Sequence, residues 1–425
     1  MTGTGEGENS SAPGRGCPVV DFDHHGPEHN ADRVGSYRRL RETAPVVWTE
    51  SHGGFYVVTD YDGVFHAARH PEIYSSARSS VGGEGLATTI PKAPVHLHIP
   101  VELDPPDHRV YRKLLNPMLT PSAVDSMRER VEELTDSFID EMIESGSGDF
   151  ASVIGVPAAV TIDWLGLPVA DWPRYSAAHH AVISEGPGSD GFAKALEVDF
   201  PWMNEQIQEA IVDRRATPRK DMISYLVCQE VGGRPITDDE VFSIVELLIS
   251  GGVGTTASLV SQTLVYLDQD RELRQRLIEN PDSMEKAVEE FLRAFSPTQA
   301  LARTVVADDV VSGCPVRAGD RVLISWSAAN RDPSHFDNPD SVNVDRWPNR
   351  HLAFGAGVHR CAGAHLARLM ARTMLGKVLT RMPDYSVDPA GLSPYYSHGV
   401  NAGWRTIPVT FTPGARKRDV TAQQL

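Results

Sequence analysis

The sequence predicts one mainly helical domain with small β-sheets. Residues 120 to 230 show successive amphipathic helical patterns. A capping box at Thr237 and Glu240 then begins an apolar pattern of about thirty helical residues, or roughly 45 Å of helix. Strand patterns are confined to short stretches, such as residues 46 to 59 and 305 to 324. With 41% hydrophobic residues among 425, the chain can bury a large core.

Composition excludes several classes of protein. The formal net charge of −17 argues against nucleic-acid binding. No run of about 18 uncharged apolar residues and no N-terminal signal pattern is present, so we expect a cytoplasmic chain without a membrane span. The cysteines are widely scattered, and a reduced setting favours free thiols over a disulfide framework. They are Cys17, Cys228, Cys314 and Cys361.

The two ends of the chain are expected to be disordered. Residues 1 to 32 are rich in Gly, Ser, Asp and His without periodicity, and residues 414 to 425 are polar. A single folded domain is therefore predicted over residues 33 to 413. The first tail contains potential metal ligands, but we expect them to be solvated because a tail has no scaffold to fix their geometry. These residues are Asp21, Asp23, His24, His25 and His29.

The N-terminal third of the domain combines a hairpin, a long loop and a basic helix face. Residues 46 to 59 predict a β-hairpin with its turn at Ser51-His52-Gly53. Residues 76 to 100 form a loop long enough to be a lid or binding loop. In the helix that follows, His108 and Arg112 lie four residues apart and share one face. Two donors there suit an anionic carboxylate, although a plain basic surface is the alternative.

The centre of the long helix is rich in glycine. Residues 250 to 256 are Ser-Gly-Gly-Val-Gly-Thr-Thr. Glycine in a helix costs up to about 1 kcal/mol relative to alanine. This pattern therefore favours close approach of a ligand, a local bulge or a crossing of small-residue helices. The hydroxyls of Thr255 and Thr256 can bond to carbonyls one turn earlier or hold water.

One cysteine lies in a glycine-rich turn immediately before an apolar helix from about residue 364 to 382. Residues 354 to 363 are Phe-Gly-Ala-Gly-Val-His-Arg-Cys-Ala-Gly. Glycines allow positive φ and close approach to a flat ligand. A thiolate at this position is stabilised by the helix dipole and by free N–H groups. Cys361 is therefore a candidate metal ligand, and an inert buried thiol is the alternative.

This ten-residue stretch resembles the cysteine-ligand signature of the cytochrome P-450 family. Residues 104 to 112 are similar to that family's Asp-Pro-Pro-x-His-x-x-x-Arg helix, and the resemblance spans about residues 35 to 412. It implies the family's single triangular fold, mainly α with small β-sheets, with residues 33 to 413 as a haem-thiolate catalytic domain. It also implies haem b with Cys361 as the axial ligand of the iron, and O₂ as co-substrate.

The resemblance assigns roles around the haem. Thr255, beside Thr256, matches the position that organises protons for oxygen activation. The preceding position is commonly acidic in the family, and here it is Gly254. Proton delivery is then left to ordered water, the threonines or the substrate, with Glu246 as a further candidate. Haem contacts, with the first four to propionates, are implied for His108, Arg112, Arg303, His359, Phe354 and Gly252.

The resemblance also implies a substrate pocket and a scaffold. The pocket is expected to be apolar with a few polar contacts, lined by Leu247, Ser250, Gly251, Gln299, Ala300, Val400 and Asn401. Glu290 and Arg293 lie three apart on one helix and match the family's Glu–Arg–Arg network. Arg346 is its third member, and the role of the network is structural.

The implied reaction inserts one oxygen atom from O₂ into an apolar small molecule, as in hydroxylation of a terpenoid, steroid or other secondary metabolite. No flavin-, nicotinamide- or iron–sulfur-binding segment is visible, so ferredoxin and ferredoxin reductase are the expected electron donors. A basic patch on the cysteine side of the haem would suit an acidic partner, against the alternative of ordinary surface charge. It comprises Arg109, Lys113, Arg360, Arg368 and Arg372.

Three other functions are considered. Gly254 favours an oxidase that couples or rearranges its substrate without inserting oxygen. A peroxide-using haem enzyme would share the thiolate, but it usually carries an acid-binding arginine in the threonine region, which this helix lacks. A non-catalytic haem gas sensor would share the cysteine ligand and would need neither the Thr255 arrangement nor a large pocket.

Overall fold

The computed structural model describes residues 16–184, 189–397 and 399–417. In chain order its helices are α1 Pro27–Ala31, α2 Arg33–Thr43, α3 Tyr61–Arg69, α4 Arg78–Val81, α5 Asp107–Leu115, α6 Pro121–Asp125, α7 Arg128–Asp140, α8 Phe150–Val153, α9 Val156–Leu165, α10 Trp172–Ser184, α11 Asp190–Lys194, α12 Phe200–Ala216, α13 Met222–Val227, α14 Asp238–Gln269, α15 Arg271–Glu279, α16 Met284–Phe295, α17 Trp326–Ala329 and α18 Ala364–Arg381.

The strands are short and form one principal sheet and several small ones. They are β1 Val46–Thr49, β2 Phe55–Val58, β3 Tyr74–Ser75, β4 Ser147–Asp149, β5 Glu230–Val231, β6 Arg234–Pro235, β7 Ala300–Val305, β8 Asp309–Val311, β9 Cys314–Val316, β10 Arg321–Ser325, β11 Ser386–Val387, β12 Ser393–Pro394, β13 Trp404–Thr406 and β14 Pro408–Thr410. The principal sheet has the order β1-β2-β10-β7-β3. Its β2–β10 pair is parallel and the other pairs are antiparallel.

The long helix α14 is the centre of the helical core. The predicted capping box is present, because the Glu240 N–H lies 3.3 Å from Thr237 Oγ1 and the Thr237 N–H lies 2.8 Å from Glu240 Oε2. The helix runs for 32 residues. By length and composition it is able to span a membrane, but 67% of its most apolar window is buried inside the fold, as in the core helix of a globular protein.

The glycine-rich centre of α14 does not break the helix. The α-helical hydrogen bonds run continuously from residue 238 to 269, so the bulge considered from the sequence does not form. Gly252 instead allows close packing between helices, because a Cβ atom on it would lie only 2.4 Å from Thr161 Oγ1 of α9. Gly252 therefore lets α9 and α14 approach each other, which is the small-residue crossing that the sequence left open.

The expectation of a disordered N-terminal tail does not hold from residue 17 onward. The chain pairs with β1, where the Val20 N–H lies 2.8 Å from the Trp48 carbonyl oxygen. Phe22 and His24 are buried. Apolar side chains at intervals in this segment complete the core on one side of the principal sheet. The rest of the expected tail, residues 1 to 15, lies outside the described residues.

The other chain end and the cysteines also differ from expectation. The Gly414 N–H donates to the Ile143 carbonyl oxygen at 2.9 Å, so the chain is held to at least that point, and residues 418 to 425 lie outside the described part. Cys17 and Cys314 form a disulfide, with their Cα atoms 5.8 Å apart. Their sequence separation hid this pairing.

A buried ion network holds the segment that leads to the cysteine turn. Arg293 donates to both carboxylate oxygens of Glu290 at 2.8 and 2.7 Å, and Arg346 Nε lies 3.1 Å from Glu290 Oε2. Arg293 also donates to three backbone carbonyls. Glu290 and Arg293 are both fully buried. These contacts satisfy the charges, which a buried pair requires.

Candidate active site

A cavity of about 300 Å³ lies between α14 and the turn that carries Cys361. One face of α14 lines it with side chains that recur every four residues, as the helical period requires. These are Leu247, Leu248, Gly251, Gly252, Thr255, Thr256 and Leu259. The opposite wall comes from residues 354 to 363 and the first turns of α18. The cavity thus joins the two segments that the sequence singled out.

The cysteine turn folds as its glycines predict. The Cys361 N–H donates to the Phe354 carbonyl oxygen at 2.9 Å, which closes the turn. Gly355 and Gly357 have φ values of +68° and +69°. A Cβ atom on Gly357 would lie 2.3 Å from the carbonyl oxygen of Ala68 in α3. Glycine is therefore required at residue 357, both for its φ and for this approach.

The Cys361 sulfur faces the cavity, and its electrostatic surroundings are mixed. Cys361 is exposed to the open cavity, and desolvation by the surrounding protein raises the pKa of its thiol above the ordinary value. The Gly363 N–H and the guanidinium groups of Arg112 and Arg360 act in the opposite direction, but they do not overcome this desolvation. The stabilisation of a thiolate by the start of the helix, predicted from the sequence, is present through the Gly363 N–H. By itself it does not bring the pKa of Cys361 down to the ordinary value. A bound metal ion deprotonates such a thiol outright.

Four basic side chains line the same cavity near the cysteine: His108, Arg112, Arg303 and His359. The ring centroids of His108 and His359 lie 4.5 Å apart. His108 Nδ1 and His359 Nε2 are buried without a hydrogen-bond partner among the described residues. Arg303 is buried, and its only described donation is to the carbonyl of Ala302 at 2.7 Å.

The electrostatics of these groups suit the binding of an anion. Burial, reinforced by Arg112, lowers the pKa of His108 to about 4, so the ring is neutral at pH 7 and donates one N–H. Burial lowers the pKa of Arg303 to about 10, which leaves it charged. No Asp or Glu lines the cavity in the described part of the chain. Unpaired buried donors of this kind fit the carboxylates of a haem.

The glycines of α14 have different surroundings. A Cβ atom on Gly251 would have no neighbour within 4 Å outside its own helix, so Gly251 opens onto the cavity. Gly252 lines the cavity but packs on Thr161. Gly254 is buried away from the cavity, and its carbonyl accepts from Ser258 Oγ at 2.8 Å. The side chain of an acid at residue 254 would therefore leave the helix on its buried side and not on the side that lines the cavity.

Glu246 lies on the opposite side of α14 from the cavity. Only 1% of the residue is exposed, and Oε2 has no hydrogen-bond partner among the described residues. Burial raises the pKa of this carboxyl to about 7, while Arg78 lowers it and Glu102 raises it. It does not line the cavity, so a direct part in proton delivery is not favoured.

Five residues expected in the substrate pocket do not line the cavity: Ser250, Gln299, Ala300, Val400 and Asn401. Ser250 is off the lining stripe of α14 by its helical position. Gln299 is fully buried, and its side chain donates to the carbonyls of Phe295 and Ser296. Ala300 is buried on the far side of the strand, in the core under the principal sheet.

Val400 and Asn401 do not line the cavity, but they form hydrogen bonds with Gln299 and Thr298. The Val400 carbonyl accepts from the Gln299 N–H at 2.7 Å. Asn401 Oδ1 accepts from Thr298 Oγ1 at 3.3 Å, and it is Thr298 that lines the cavity. The sequence therefore predicted Gln299 as a lining residue, whereas Thr298, one position earlier, lines the cavity.

Sequence reasoning missed much of the wall. The missed lining residues include Thr88, Leu115, Thr161, Thr298, Leu301 and Trp326. Alternation along β7 could have indicated Leu301 as a companion of Arg303. No sequence signal marks Thr161, because its role depends on the crossing of α9 and α14.

Comparisons with known proteins agree with this architecture. The cytochrome P450 family model matches residues 192–383. The steroid C26-monooxygenase of Mycolicibacterium smegmatis is 33% identical over 385 residues, covering 89% of this chain and 93% of that protein. The polyketide biosynthesis cytochrome P450 PksS of Bacillus subtilis is 30% identical over 378 residues, covering 85% of this chain and 91% of that protein.

Solved structures share the fold. CYP109E1 from Bacillus megaterium in complex with testosterone has a TM-score of 0.79 at 29% identity, covering 90% of this chain and 99% of that one. The mainly α architecture with small β-sheets is therefore confirmed. Similarity over most of both chains, at 30% identity or more, shows that this chain belongs to the cytochrome P450 family and is a bacterial-type monooxygenase.

Proposed function

We propose that the chain binds haem b through Cys361 and hydroxylates an apolar small molecule such as a steroid, a terpenoid or another secondary metabolite. The observation that carries the proposal is the convergence of one cavity-facing cysteine with four basic side chains that form no ion pair with an acidic side chain among the described residues. A thiol ligand and donors for two carboxylates are what a haem requires.

The residues that would hold the haem have distinct tasks. Cys361 Sγ would be the iron ligand, and the propionates would be bound by His108, Arg112, Arg303 and His359. Phe354, with Arg368 4.5 Å above its ring, would support the cysteine side. When bound, the haem supplies O₂ activation, in which two electrons and two protons lead to one oxygen atom in the product and one in water.

The chain's own residues would place the substrate and limit water. Leucines from α5, α14 and β7 give the cavity a mostly apolar wall, which favours an apolar substrate. Thr88, Thr161 and Thr298 offer a few polar contacts. The steroid substrate in the name of the Mycolicibacterium relative supports a steroid as the first compound to test.

Replacement of Cys361 tests the haem assignment. Cys361→Ser should abolish the carbon-monoxide band that is characteristic of a thiolate ligand in the reduced protein. His365→Ala, at an exposed histidine nearby, is a matched control that should retain it. A thiolate-type band in the Cys361→Ser protein would overturn the assignment of the ligand.

Substrate binding and oxygen insertion are tested separately. A panel of steroids and terpenoids is screened for the spectral shift that follows displacement of the water ligand. The best compound is then oxidised under ¹⁸O₂. Label in the product supports hydroxylation, whereas a product without label would favour coupling or rearrangement.

We also propose that ferredoxin and ferredoxin reductase supply the electrons, through an exposed basic surface near Cys361. Arg109, Lys113 and Arg360 are exposed and have no acidic partner among the described residues. Arg368 and Arg372 are less available, because they lie 2.6 Å from Glu289 and 3.6 Å from Glu285. The docking surface is thus reduced to the first three residues, whose charge suits an acidic partner.

A further inference from the structure

Outside the active site, three potential metal ligands converge where the N-terminal segment meets the β1–β2 hairpin. Asp23, His24 and His52 each place one ligand atom within 4.8 Å of the other two. His52 Nε2 lies 2.8 Å from Asp23 Oδ1. The rings of His24 and His52 are 5.6 Å apart and nearly perpendicular, at 79°. This is a compact group of two imidazoles and one carboxylate.

His24 is the member that indicates a ligand. The residue is 1% exposed, and neither of its ring nitrogens has a hydrogen-bond partner in the described part of the chain. Its ring packs against Phe55 at 5.3 Å. A buried imidazole without any partner loses its hydration without compensation, and such groups are rare in folded proteins. A bound metal ion would satisfy it.

The neighbouring histidines are already occupied. The ring nitrogens of His25 lie 2.6 Å from Ser397 Oγ and 2.9 Å from the Ile90 carbonyl oxygen. His29 Nδ1 lies 3.1 Å from Ser36 Oγ. Asp21 is exposed and lies outside the group. Of the potential ligands named in the expected tail, Asp23 and His24 therefore remain, and the hairpin supplies the third ligand, His52, from its turn.

The turn holds His52 in an unusual conformation. Its φ and ψ are 51° and 32°, in the left-handed region that non-glycine residues rarely adopt. Asp23 is fixed as well, because its Oδ1 accepts from the His25 N–H at 2.8 Å. The N-terminal segment and the hairpin turn therefore fix the positions of these ligands, which was not expected of a disordered tail.

We propose that Asp23, His24 and His52 form a binding site for a divalent transition-metal ion such as Zn²⁺. Imidazole and carboxylate are suitable ligands for this class of ion. Three protein ligands leave a fourth position for water, which can enter because Asp23 and His52 are partly exposed. The ion takes the place of the proton shared between His52 and Asp23, and that proton is released to solvent.

The chain also contains a competing histidine pair that provides a control. His66 lies in the last turn of α3 and His70 directly follows the helix, with their ring centroids 4.5 Å apart. Their nitrogens are already paired, His66 Nε2 with Asp309 at 2.8 Å and His70 Nδ1 with Glu72 at 2.7 Å. A general affinity of surface histidines for zinc would appear at this pair.

The experiment uses the full-length haem-loaded protein without an added histidine tag. The protein is dialysed against Zn²⁺, and bound zinc and iron are counted by elemental analysis. We expect one zinc per chain in the parent protein and in His66→Ala/His70→Ala. In His52→Asn and His24→Phe we expect zinc affinity to fall by roughly a hundredfold or more. Asparagine tolerates the left-handed conformation, and phenylalanine keeps the volume of the buried ring.

X-ray absorption at the zinc edge identifies the ligands. The parent protein should show nitrogen and oxygen neighbours at about 2.0 Å, with the scattering signature of imidazole. The proposal is overturned if the parent retains no zinc, if His52→Asn retains as much as the parent, or if zinc is lost in the His66→Ala/His70→Ala protein. If His24→Phe fails to fold, His52→Asn at the exposed residue decides the result.

Discussion

The Thr255 hydroxyl donates a hydrogen bond to the Gly251 carbonyl oxygen, at an Oγ1–O distance of 2.9 Å. The hydroxyl hydrogen is therefore engaged within α14, and the oxygen presents its lone pairs to the cavity. In this state the Thr255 oxygen is able to accept a hydrogen bond from a water molecule in the cavity. It would hold a proton in place there without having to supply one.

Removing this hydroxyl should separate electron consumption from product formation. Thr255→Val keeps the shape of the side chain and removes the acceptor, so product per electron pair should fall by at least about tenfold. Thr255→Ser restores the acceptor and should recover most of the product. Product, peroxide and reductant consumption are measured together. If the valine protein couples electrons to product as well as the parent, the role of Thr255 is wrong.

The two adjacent glycines of α14 should respond differently to alanine. Gly251→Ala enters open space, so stability should be maintained while the spectral response to substrate changes. Gly252→Ala places a Cβ atom 2.4 Å from Thr161 Oγ1, whose rotamer is held by a 2.7 Å bond to the Pro157 carbonyl. Overpacking of about 1–3 kcal/mol then exceeds the gain in helix propensity of at most about 1 kcal/mol.

Denaturant unfolding of the two alanine proteins measures this difference. The double variant Thr161→Ala/Gly252→Ala removes the obstructing side chain and should recover part of the loss. Equal stability of the two single variants would contradict the packing role of Gly252.

Neutralising Glu290 should destabilise the fold strongly. Four groups donate to its carboxylate: Arg293, Arg346, the Asn343 N–H and Asn349 Nδ2. Glu290→Gln turns an amide N–H₂ toward these donors and leaves Arg293 without its charge partner, at a cost of roughly 3–5 kcal/mol. Asp345→Asn breaks an exposed pair with Arg276 and should have a much smaller effect on stability, because solvent screens exposed charges. Unfolding monitored by circular dichroism compares the two, and similar losses would contradict the prediction.

Glu246 should make stability fall as pH rises toward neutrality. Its pKa is about 7 in the folded chain, against an ordinary value of 4.5 in the unfolded chain. Between these values the folded state binds more protons, so the free energy of unfolding decreases with rising pH. The penalty is absent below about pH 4.5 and reaches up to about 3 kcal/mol above pH 7.

The measurement is the stability of Glu246→Gln minus that of the parent, taken from pH 5 to pH 8. Groups that titrate equally in both proteins cancel in this difference, which should grow with pH and become constant above about pH 7. A difference that does not change with pH would show that Glu246 titrates normally.

Charge reversal near the cysteine should impair electron delivery alone. Arg109→Glu/Lys113→Glu should lower ferredoxin-driven turnover, with the loss larger at low ionic strength, because the two charges are exposed. Turnover driven by peroxide should be unchanged. Arg317→Glu/Arg405→Glu changes the net charge equally at exposed positions on other elements. Equal losses with both electron sources, or in both variants, would contradict a docking role.

Local patterns predicted the elements whose geometry depends on nearby residues. The capping box at Thr237, the positive φ of Gly357 and the shared face of His108 and Arg112 all follow from short-range rules. The Glu290–Arg293 contact does too, because its members lie three residues apart. Each of these could be read from fewer than a dozen consecutive residues.

What the sequence did not predict depends on contacts between distant segments. The burial of His24 requires the hairpin at residues 46 to 58, and the lining role of Thr161 requires the crossing of α9 and α14. Gln299 was placed in the pocket by analogy, but a one-residue difference in a strand reverses the direction of a side chain. The register of β7 against β10 could not be obtained from local patterns.

The bond between Cys17 and Cys314 joins residues that are 297 positions apart. It makes the intervening polypeptide a closed covalent ring that contains all of α14 and four of the five strands of the principal sheet, β1, β2, β3 and β7. One proteolytic cut within this ring would open it without releasing a fragment, and the two pieces would separate only after reduction. Mechanical continuity between the N-terminal segment and the catalytic core therefore does not depend on every peptide bond between them.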